Sequence, residues 1–190
     1  MNLDLLREEI GKVIPVIDIQ FRDLAKMLNV VRLDKGQVWE KKDKVSLNMA
    51  FVNEGILRQY AQKEGDEFIE NFYLKGDFLG NYRSYHFQTV SNWSIQAIEK
   101  CELLTIPFER LDCLIGLSRN LELFSRHLGN KKLFELERKY ARLLCDSPEE
   151  RYVWLLKTQP YLLKKIPQYY LAQYLGVKPE TLSRIKKRFV

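Results

Sequence analysis

The residues with the clearest chemical potential lie close together near the end of the chain. Glu180, Ser183 and Arg184 are three and four positions apart, so a helix would place them side by side on one face. Arginine forms paired hydrogen bonds with the edge of guanine, glutamate accepts a hydrogen bond from cytosine, and serine pairs with several bases. These three side chains are therefore candidates for contacts to base edges in a DNA groove.

Net positive charge is concentrated in the same part of the chain. Residues 146–190 contain nine Lys/Arg and four Asp/Glu, so this last quarter of the sequence accounts for five of the six net positive charges. A polyanionic partner is the simplest use of such a basic surface. The candidate base contacts thus lie within the most cationic segment of the chain.

A pair of short helices about a glycine turn is predicted to position these side chains. Leu171 and Leu175 lie one turn apart and form the apolar side of the first helix. Gly176 follows at the point where a left-handed C-cap ends a helix without strain. Pro179 suits the first turn of the second helix, although Lys178 before it is a poor N-cap. The segment is typical of a helix-turn-helix.

The second helix has an apolar side opposite its charged face. Leu182, Ile185 and Phe189 recur at intervals of three and four residues, which predicts a stripe that faces a core. A different interpretation is a helical hairpin whose charged face meets only water and pairs Glu180 with Arg184. Short motifs also occur by chance, so the residues alone leave both interpretations open.

Upstream of the hairpin, the periodicity changes from helical to extended. Residues 2–29 are predicted to form two helices, interrupted at Gly11 and Pro15. Between Val30 and Pro107, glycine-containing turn signals separate short apolar segments, which predicts an antiparallel sandwich or roll. Strands are predicted at residues 45–51, 68–74, 95–98 and 103–106. In the first of these, Val45, Leu47, Met49 and Phe51 should face inwards and Ser46, Asn48 and Ala50 outwards.

After Pro107 the pattern is helical again. A long amphipathic helix, with Gly129-Asn130 as a weak point, ends at Asp146-Ser147-Pro148, which caps a further helix at 148–158. Gln159-Pro160 begins a connector to the hairpin. The apolar stripe of the long helix either packs on the roll of its own chain or forms a seam with a second copy. The residues assigned to a dimer are Leu121, Phe124, Leu128, Leu136, Tyr140 and Leu143.

Composition excludes several classes of protein. With 46% hydrophobic and 29% charged residues and no apolar run long enough for a bilayer, the chain is predicted to be a soluble globular protein without a membrane partner. Three widely spaced cysteines predict free thiols in the reducing cytoplasm. The two histidines, His86 and His127, fall in unlike elements, and no nucleotide-binding or metalloprotease motif occurs. We therefore predict neither an enzyme, with catalytic residues, nor a metal site.

The order of a roll, a long helix and a helix-turn-helix resembles the Crp/Fnr family of bacterial transcription regulators. The most specific matches are residues 171–177, LAQYLGV, and residues 180–185, ETLSRI. The resemblance implies an α+β fold with an N-terminal antiparallel β-roll of the double-stranded β-helix or jelly-roll type. The implied domains are a sensor roll at 1–107, a dimerisation helix at 108–145 and a DNA-binding domain at 146–190. Because the sequence stops at Val190, the β-hairpin wing of the family is expected to be missing, or reduced to residues 157–166.

The resemblance also implies roles for individual residues. In the family, the positions that match Glu180 and Arg184 contact base edges, and the position that matches Thr181 contacts phosphate. Family members often carry a base-reading arginine where this chain has Pro179, so readout by the family rule is incomplete. Combined with the pattern of charge, the assignment of base contacts is Glu180, Ser183 and Arg184. The assignment of phosphate contacts is Lys178, Thr181, Lys186, Lys187 and Arg188.

The roll resembles a cyclic-nucleotide-binding domain whose phosphate site has degenerated. Residues 75–80, KGDFLG, match the start of the family's phosphate-binding cassette, but the cassette's glutamate falls on Asn81 and its arginine on Ser91. A buried phosphate without a cationic partner is costly, so cyclic AMP binding in the family manner, and any other cofactor, is not expected. Arg58 and Arg83 are the candidate substitutes. The degenerate effector pocket would comprise Gly80, Asn81, Tyr82, Ser91 and Asn92.

Together these observations predict a homodimeric regulator that binds double-stranded DNA in a sequence-specific manner. The resemblance adds RNA polymerase and a small-molecule effector of unknown identity as partners. The alternative is a roll that senses a ligand or binds a protein, with a terminal hairpin that does not bind DNA.

Overall fold

Eight strands form two four-stranded antiparallel sheets in the computed structural model, which describes residues 2–189 apart from the side chains of residues 19 and 20. The first sheet has the strand order β1-β8-β3-β6 and the second the order β2-β7-β4-β5. The strands are β1 (Asn29–Leu33), β2 (Val38–Glu40), β3 (Asn48–Glu54), β4 (Ile56–Lys63), β5 (Asp66–Leu74), β6 (Phe78–Leu79), β7 (Ser94–Ala97) and β8 (Cys101–Pro107).

Helices precede, interrupt and follow the strands. Their number and order agree with the periodicity of the sequence except at residues 82–87 and after residue 158, where helices occur that were not predicted. The helices are α1 (Asp4–Gly11), α2 (Asp18–Met27), α3 (Tyr82–Phe87), α4 (Phe108–Leu117), α5 (Arg119–Cys145), α6 (Pro148–Thr158), α7 (Pro160–Lys165), α8 (Gln168–Leu175) and α9 (Pro179–Lys186). None of them, within the described part of the chain, is both long and apolar enough to cross a bilayer.

The chain forms two compact units. The first contains the residues through Ala61 together with Asn71–Asn130, and the second contains Gln62–Glu70 together with the residues from Lys131 onwards. The division of α5 between the units falls directly after Gly129-Asn130, but the helix itself is unbroken from Arg119 to Cys145. The three functional domains predicted above remain a proposal, because these units are defined by compactness alone.

Apolar residues from both sheets fill the interior of the roll. Val52 of β3, Leu57 of β4 and Leu103 of β8 are completely buried, and they pack with Ile95 of β7 and Tyr73 of β5. Each fully buried side chain of this size contributes roughly 1.5–3 kcal/mol to folding through its removal from water. The predicted antiparallel roll is therefore confirmed, and its interior is a packed core.

The inside–outside alternation predicted for residues 45–51 is wrong. The strand begins only at Asn48, Leu47 is 58% exposed, and Ser46 is buried. Ala50, Phe51 and Val52 are consecutive and all buried, because Ala50 and Val52 face the interior of the roll whereas Phe51 packs beneath helices on the outer side of the sheet. A strand covered on both faces loses the two-residue period on which the prediction relied.

The prediction of a connector or small wing at residues 157–166 is also wrong. These residues complete α6 and form α7, and all strands in the described residues lie between Asn29 and Pro107. The predicted cap before α6 is confirmed, since Ser147 accepts a hydrogen bond from the Glu150 amide and the Glu150 carboxylate accepts one from the Ser147 amide.

A buried ammonium group lies inside the second unit. Lys139 of α5 donates a hydrogen bond to the main-chain oxygen of Glu70, and its Nζ lies 4.4 Å from the centre of the Tyr174 ring. Burial lowers the pKa of Lys139 to about 8, against an opposing contribution from Glu70. Burial likewise raises the pKa of Tyr174 to about 12. The cluster joins the middle of β5 to α5 and α8 through one poorly hydrated charge.

We expect this charge to cost stability at neutral pH. The folded state holds the Lys139 proton less tightly than the unfolded chain does, so the penalty is complete below about pH 8 and disappears as the pH rises to about 10.5. Relative to Lys139→Met, the wild type should therefore gain roughly 1–3 kcal/mol of unfolding free energy across that window. Urea unfolding at several pH values measures the difference. Lys131→Met, at an exposed position of the same helix, is the control, and the same pH dependence in both variants would contradict the assignment.

Candidate nucleic-acid interface

The turn between α8 and α9 is a complete Schellman motif. Gly176 has a left-handed backbone with φ of 66°. The Val177 amide donates to the Ala172 oxygen at 2.9 Å, and the Gly176 amide donates to the Gln173 oxygen at 3.1 Å. Pro179 then begins α9 without a side-chain cap from Lys178. The predicted helix, glycine turn and helix are confirmed, and the turn sets the angle between them.

The apolar sides of the two helices hold the hairpin together. Leu171, Leu175, Leu182 and Ile185 are each at most 4% exposed, as predicted. The prediction for Phe189 is wrong, because α9 ends at Lys186 and the Phe189 ring is 44% exposed, 6.0 Å from the ring of Tyr152. The stripe therefore ends one turn earlier than the periodicity indicated.

Arg151 of α6 anchors the hairpin to the end of α5. Its Nε donates to the Leu175 oxygen at 3.0 Å, and its Nη1 donates to the Asp146 oxygen at 2.7 Å. The carbonyl ends of two helices, which carry partial negative charge, thus share one guanidinium group. Arg142 supports the same junction, since it forms a 2.6 Å ion pair with Asp146 and its guanidinium lies 4.7 Å from the Trp154 ring centre. No periodicity marks Arg151, and the sequence interpretation missed it.

The charged face of α9 is open to solvent. Glu180, Arg184 and Lys187 are exposed, as is Lys178, whereas Ser183, Thr181 and Lys186 are half-buried beside them. Within residues 2–189, Glu180 and Arg184 form no ion pair with each other, in contrast to the alternative interpretation of a self-paired face. Arg188 differs from the other predicted phosphate contacts, because it forms an ion pair with Glu149 of α6. Lys157, Lys164 and Lys165 are also exposed, on α6 and α7.

The apolar stripe of α5 divides into two stripes on different faces. Phe124 is 7% exposed and packs against the outer side of the first sheet, with Leu121 and Leu128 beside it. Eight residues separate Leu128 from Leu136, which rotates the second half of the stripe by about 80° beyond two full turns. The prediction of one dimer seam made of all six residues is therefore wrong, because Leu121, Phe124 and Leu128 pack within their own chain.

The second half of α5 carries an exposed heptad pattern, which we call the α5 seam and which consists of Gly129, Leu133, Leu136, Tyr140 and Leu143. Its members are spaced by four, three, four and three residues, the spacing of a left-handed coiled coil. The apolar members are between 50% and 61% exposed. Phe134 and Leu144, at 57% and 66% exposure, flank it.

Side chains of the roll itself occupy the degenerate cassette. Asn81 Nδ2 donates to Ser91 Oγ at 3.0 Å, so the two positions that would hold the nucleotide's ribose and phosphate bond to each other. Asn81 Oδ1 also accepts from the Ser84 amide at 3.0 Å, and Ser84 Oγ accepts from the Ser46 amide at 3.0 Å. Ser46 Oγ is bonded to Glu40, whose carboxyl pKa is raised by burial. The polar atoms of this network satisfy one another.

The other predicted pocket residues do not converge on a binding site. Tyr82 is 51% exposed and its ring stacks on His86, while Asn92 is exposed and Gly80 lies against Phe108. Neither candidate arginine is available at this network. Arg58 is 4% exposed, donates to Gln96 Oε1 at 2.9 Å and covers the Tyr60 ring, and Arg83 is exposed on α3.

Comparison with known proteins agrees with this architecture. The fumarate and nitrate reduction regulatory protein of Yersinia pestis is 27% identical over 173 residues, which cover 83% of this chain and 67% of that protein. By sequence the chain is therefore similar to transcription regulators of the Crp/Fnr type. No family model matches the chain. Members of the family are regulators and not enzymes.

Solved structures of Crp/Fnr proteins share the fold. The c-di-GMP-responsive regulator CLP of Xanthomonas campestris has a TM-score of 0.71 at 20% identity, with 91% of each chain covered. The catabolite activator protein of Thermus thermophilus has a TM-score of 0.59 at 18% identity, with 91% of this chain and 83% of that chain covered. The exposed basic face of α9 is the candidate nucleic-acid interface of this chain.

Proposed function

We propose that this Crp/Fnr regulator binds duplex DNA as a homodimer, with the exposed face of α9 in the major groove. Glu180, Ser183 and Arg184 contact base edges, and the flanking cationic and hydroxyl groups contact phosphates. The observation that carries the proposal is that Arg184 and Lys187 are exposed on the side opposite buried Leu182 and Ile185. A helix held by its apolar side leaves this charged side available to a polyanion.

The α5 seam supports the dimer. A coiled coil formed by two copies would bury its four apolar residues and relate the two α9 helices by twofold symmetry. Helix-turn-helix dimers place their recognition helices one helical turn of DNA apart, about 34 Å, on a nearly palindromic site. Each subunit then contributes one half-site, so the affinity for DNA depends on the dimer.

The proposed phosphate contacts differ in the interaction that each residue must give up when the protein binds DNA. Arg188 must exchange its ion pair with Glu149 for a phosphate, whereas Lys178 and Lys187 are exposed and Thr181 is half-buried at the start of α9. An exposed ion pair is worth at most about 1 kcal/mol, so this exchange is accessible on DNA binding. RNA polymerase remains a predicted partner of the DNA-bound protein.

The division between base-reading and phosphate-binding residues is testable with two alanine variants. Arg184→Ala should lose roughly 1–3 kcal/mol of affinity for a selected site and relax the preference at one base pair per half-site. Lys187→Ala should weaken binding to all sequences alike and reduce the slope of log K against log salt by about two per dimer. Titration of the selected duplex and a scrambled duplex at several salt concentrations measures both effects.

Two results would decide against the proposal. Absence of binding to any duplex at low salt would favour the alternative, a roll module whose terminal hairpin does not bind DNA. Equal losses on selected and scrambled duplexes for both variants would show that Arg184 does not read a base. Circular dichroism of each variant controls for folding.

A further inference from the structure

An apolar cavity of about 70 Å³ lies in the first unit, on the outer side of the first sheet. Phe51 of β3 and Ile106 of β8 form its floor. Ile10 of α1, Leu111 of α4 and Phe124 of α5 are among the helical residues that line it. The cavity therefore lies where the N-terminal helices and the start of α5 cover the sheet.

The walls of this cavity select against water and ions. Fifteen of the sixteen lining residues are apolar, and the hydroxyl of Ser125 is the single polar side-chain group among them. A buried water needs two to four polar partners, and apolar cavities in proteins stay dry and accept apolar guests. A volume of about 70 Å³ is about half that of an engineered cavity of roughly 150 Å³ that binds benzene, so a guest has only a few heavy atoms.

The cavity is separate from the degenerate cassette. None of the five predicted cassette residues lines it, and the lining strands turn Met49, Phe51 and Ile106 towards it and away from the interior of the roll. The interior of the roll is packed with side chains of both sheets, and the cassette is closed by the bond between Asn81 and Ser91. The space available to a guest thus lies on the opposite side of the first sheet.

One wall of the cavity belongs to the helix that carries the α5 seam. Leu121, Phe124, Ser125 and Leu128 line the cavity, and the seam begins at Gly129 in the unbroken α5. We propose that this cavity is a binding site for a small uncharged apolar molecule, and that its occupancy biases the position of α5. A guest can shift α5 only through a difference in affinity between two arrangements of this wall.

Xenon is the probe for the site, because it is apolar, monatomic and small enough for the cavity. Xenon NMR of the wild type should show a saturable shift that Leu128→Phe abolishes by filling the cavity. Leu144→Phe adds the same atoms to an exposed position of the same helix and should leave the shift unchanged. Leu128→Ala should enlarge the cavity and extend binding to benzene.

The regulatory part of this proposal rests on the proposed function. The experiments therefore distinguish a failure of the binding site from a failure of DNA binding. A wild type without a saturable xenon shift, or an unchanged shift in folded Leu128→Phe, overturns the site. If Leu128→Phe does not fold, Leu121→Phe replaces it in the same comparison. Where DNA binding is established, xenon should change the affinity about fivefold or more in the wild type and not in Leu128→Phe. Xenon binding with unchanged DNA affinity would overturn the regulatory part alone.

Discussion

Leu136→Glu is expected to convert the dimer into monomers and to reduce the affinity for a palindromic DNA site by at least about 100-fold. Leu136 lies in the middle of the α5 seam and is 50% exposed in the single chain, so a partner helix can still bury half of its surface. In a twofold symmetric seam the substitution removes two leucines and places two carboxylates opposite each other. Losing this burial costs about 2–3 kcal/mol, and desolvation and repulsion of the carboxylates add to it.

The expected loss follows from the energy of dimer formation. About 1.4 kcal/mol corresponds to a factor of ten in an equilibrium constant, so a cost of 3 kcal/mol or more weakens the dimer by at least about 100-fold. A monomer retains one recognition helix and half of the phosphate contacts, so its DNA affinity falls with the dimer. Analytical ultracentrifugation and DNA titration measure the two losses independently.

A control on the outer side of the same helix distinguishes the seam from general effects of charge. Arg138→Glu lies two residues from Leu136, on the side of α5 away from the seam, and it changes the net charge more than Leu136→Glu does. It should leave the dimer intact. Dimers that persist in Leu136→Glu, or equal dissociation in both variants, would show that α5 does not form the subunit interface.

Gly55→Ala is expected to destabilise the roll by at least about 3 kcal/mol. Gly55 joins β3 to β4 with φ of +93°, a backbone conformation that costs an L-residue about 1–2 kcal/mol. An added Cβ would also lie 2.6 Å from Cys101 Sγ and 2.8 Å from Cys101 Cα. Since the Cα belongs to the central strand β8, the clash is relieved only if the paired strands move apart.

Gly36→Ala measures the loss of stability that comes from the backbone conformation alone, without a steric clash. Gly36 has φ of +85°, but an added Cβ there meets no atom within 4 Å. It should therefore lose only about 1–2 kcal/mol, whereas Gly55→Ala should lower the thermal midpoint by about 6 °C or more or fail to fold. Urea and thermal unfolding measure both variants. Similar losses would show that the β3–β4 turn relaxes without disturbing β8.

Most elements of the fold could be predicted from periodicity and capping residues. The α8–α9 hairpin was predictable because Gly176, Pro179 and the apolar spacing of Leu182 and Ile185 act locally. Strand β3 was not, since a strand covered on both faces has no alternation to detect. The helix α7 was missed because Gln159-Pro160 resembles a connector, whereas Pro160 in fact occupies the first turn of a helix.

For the candidate site, residue types and their spacing were sufficient to define the chemistry of the α9 face and the lack of a charged pair at the cassette positions. Residue types and helical spacing define a face without reference to the rest of the chain, and Asn81 and Ser91 lack the charges that a phosphate site requires. The folded chain was needed to show which half of the α5 stripe is exposed, that Arg151 joins two helix ends, and that Arg188 is paired with Glu149. Periodicity indicates which side chains share a face, whereas burial and pairing depend on the distant segment that packs against that face.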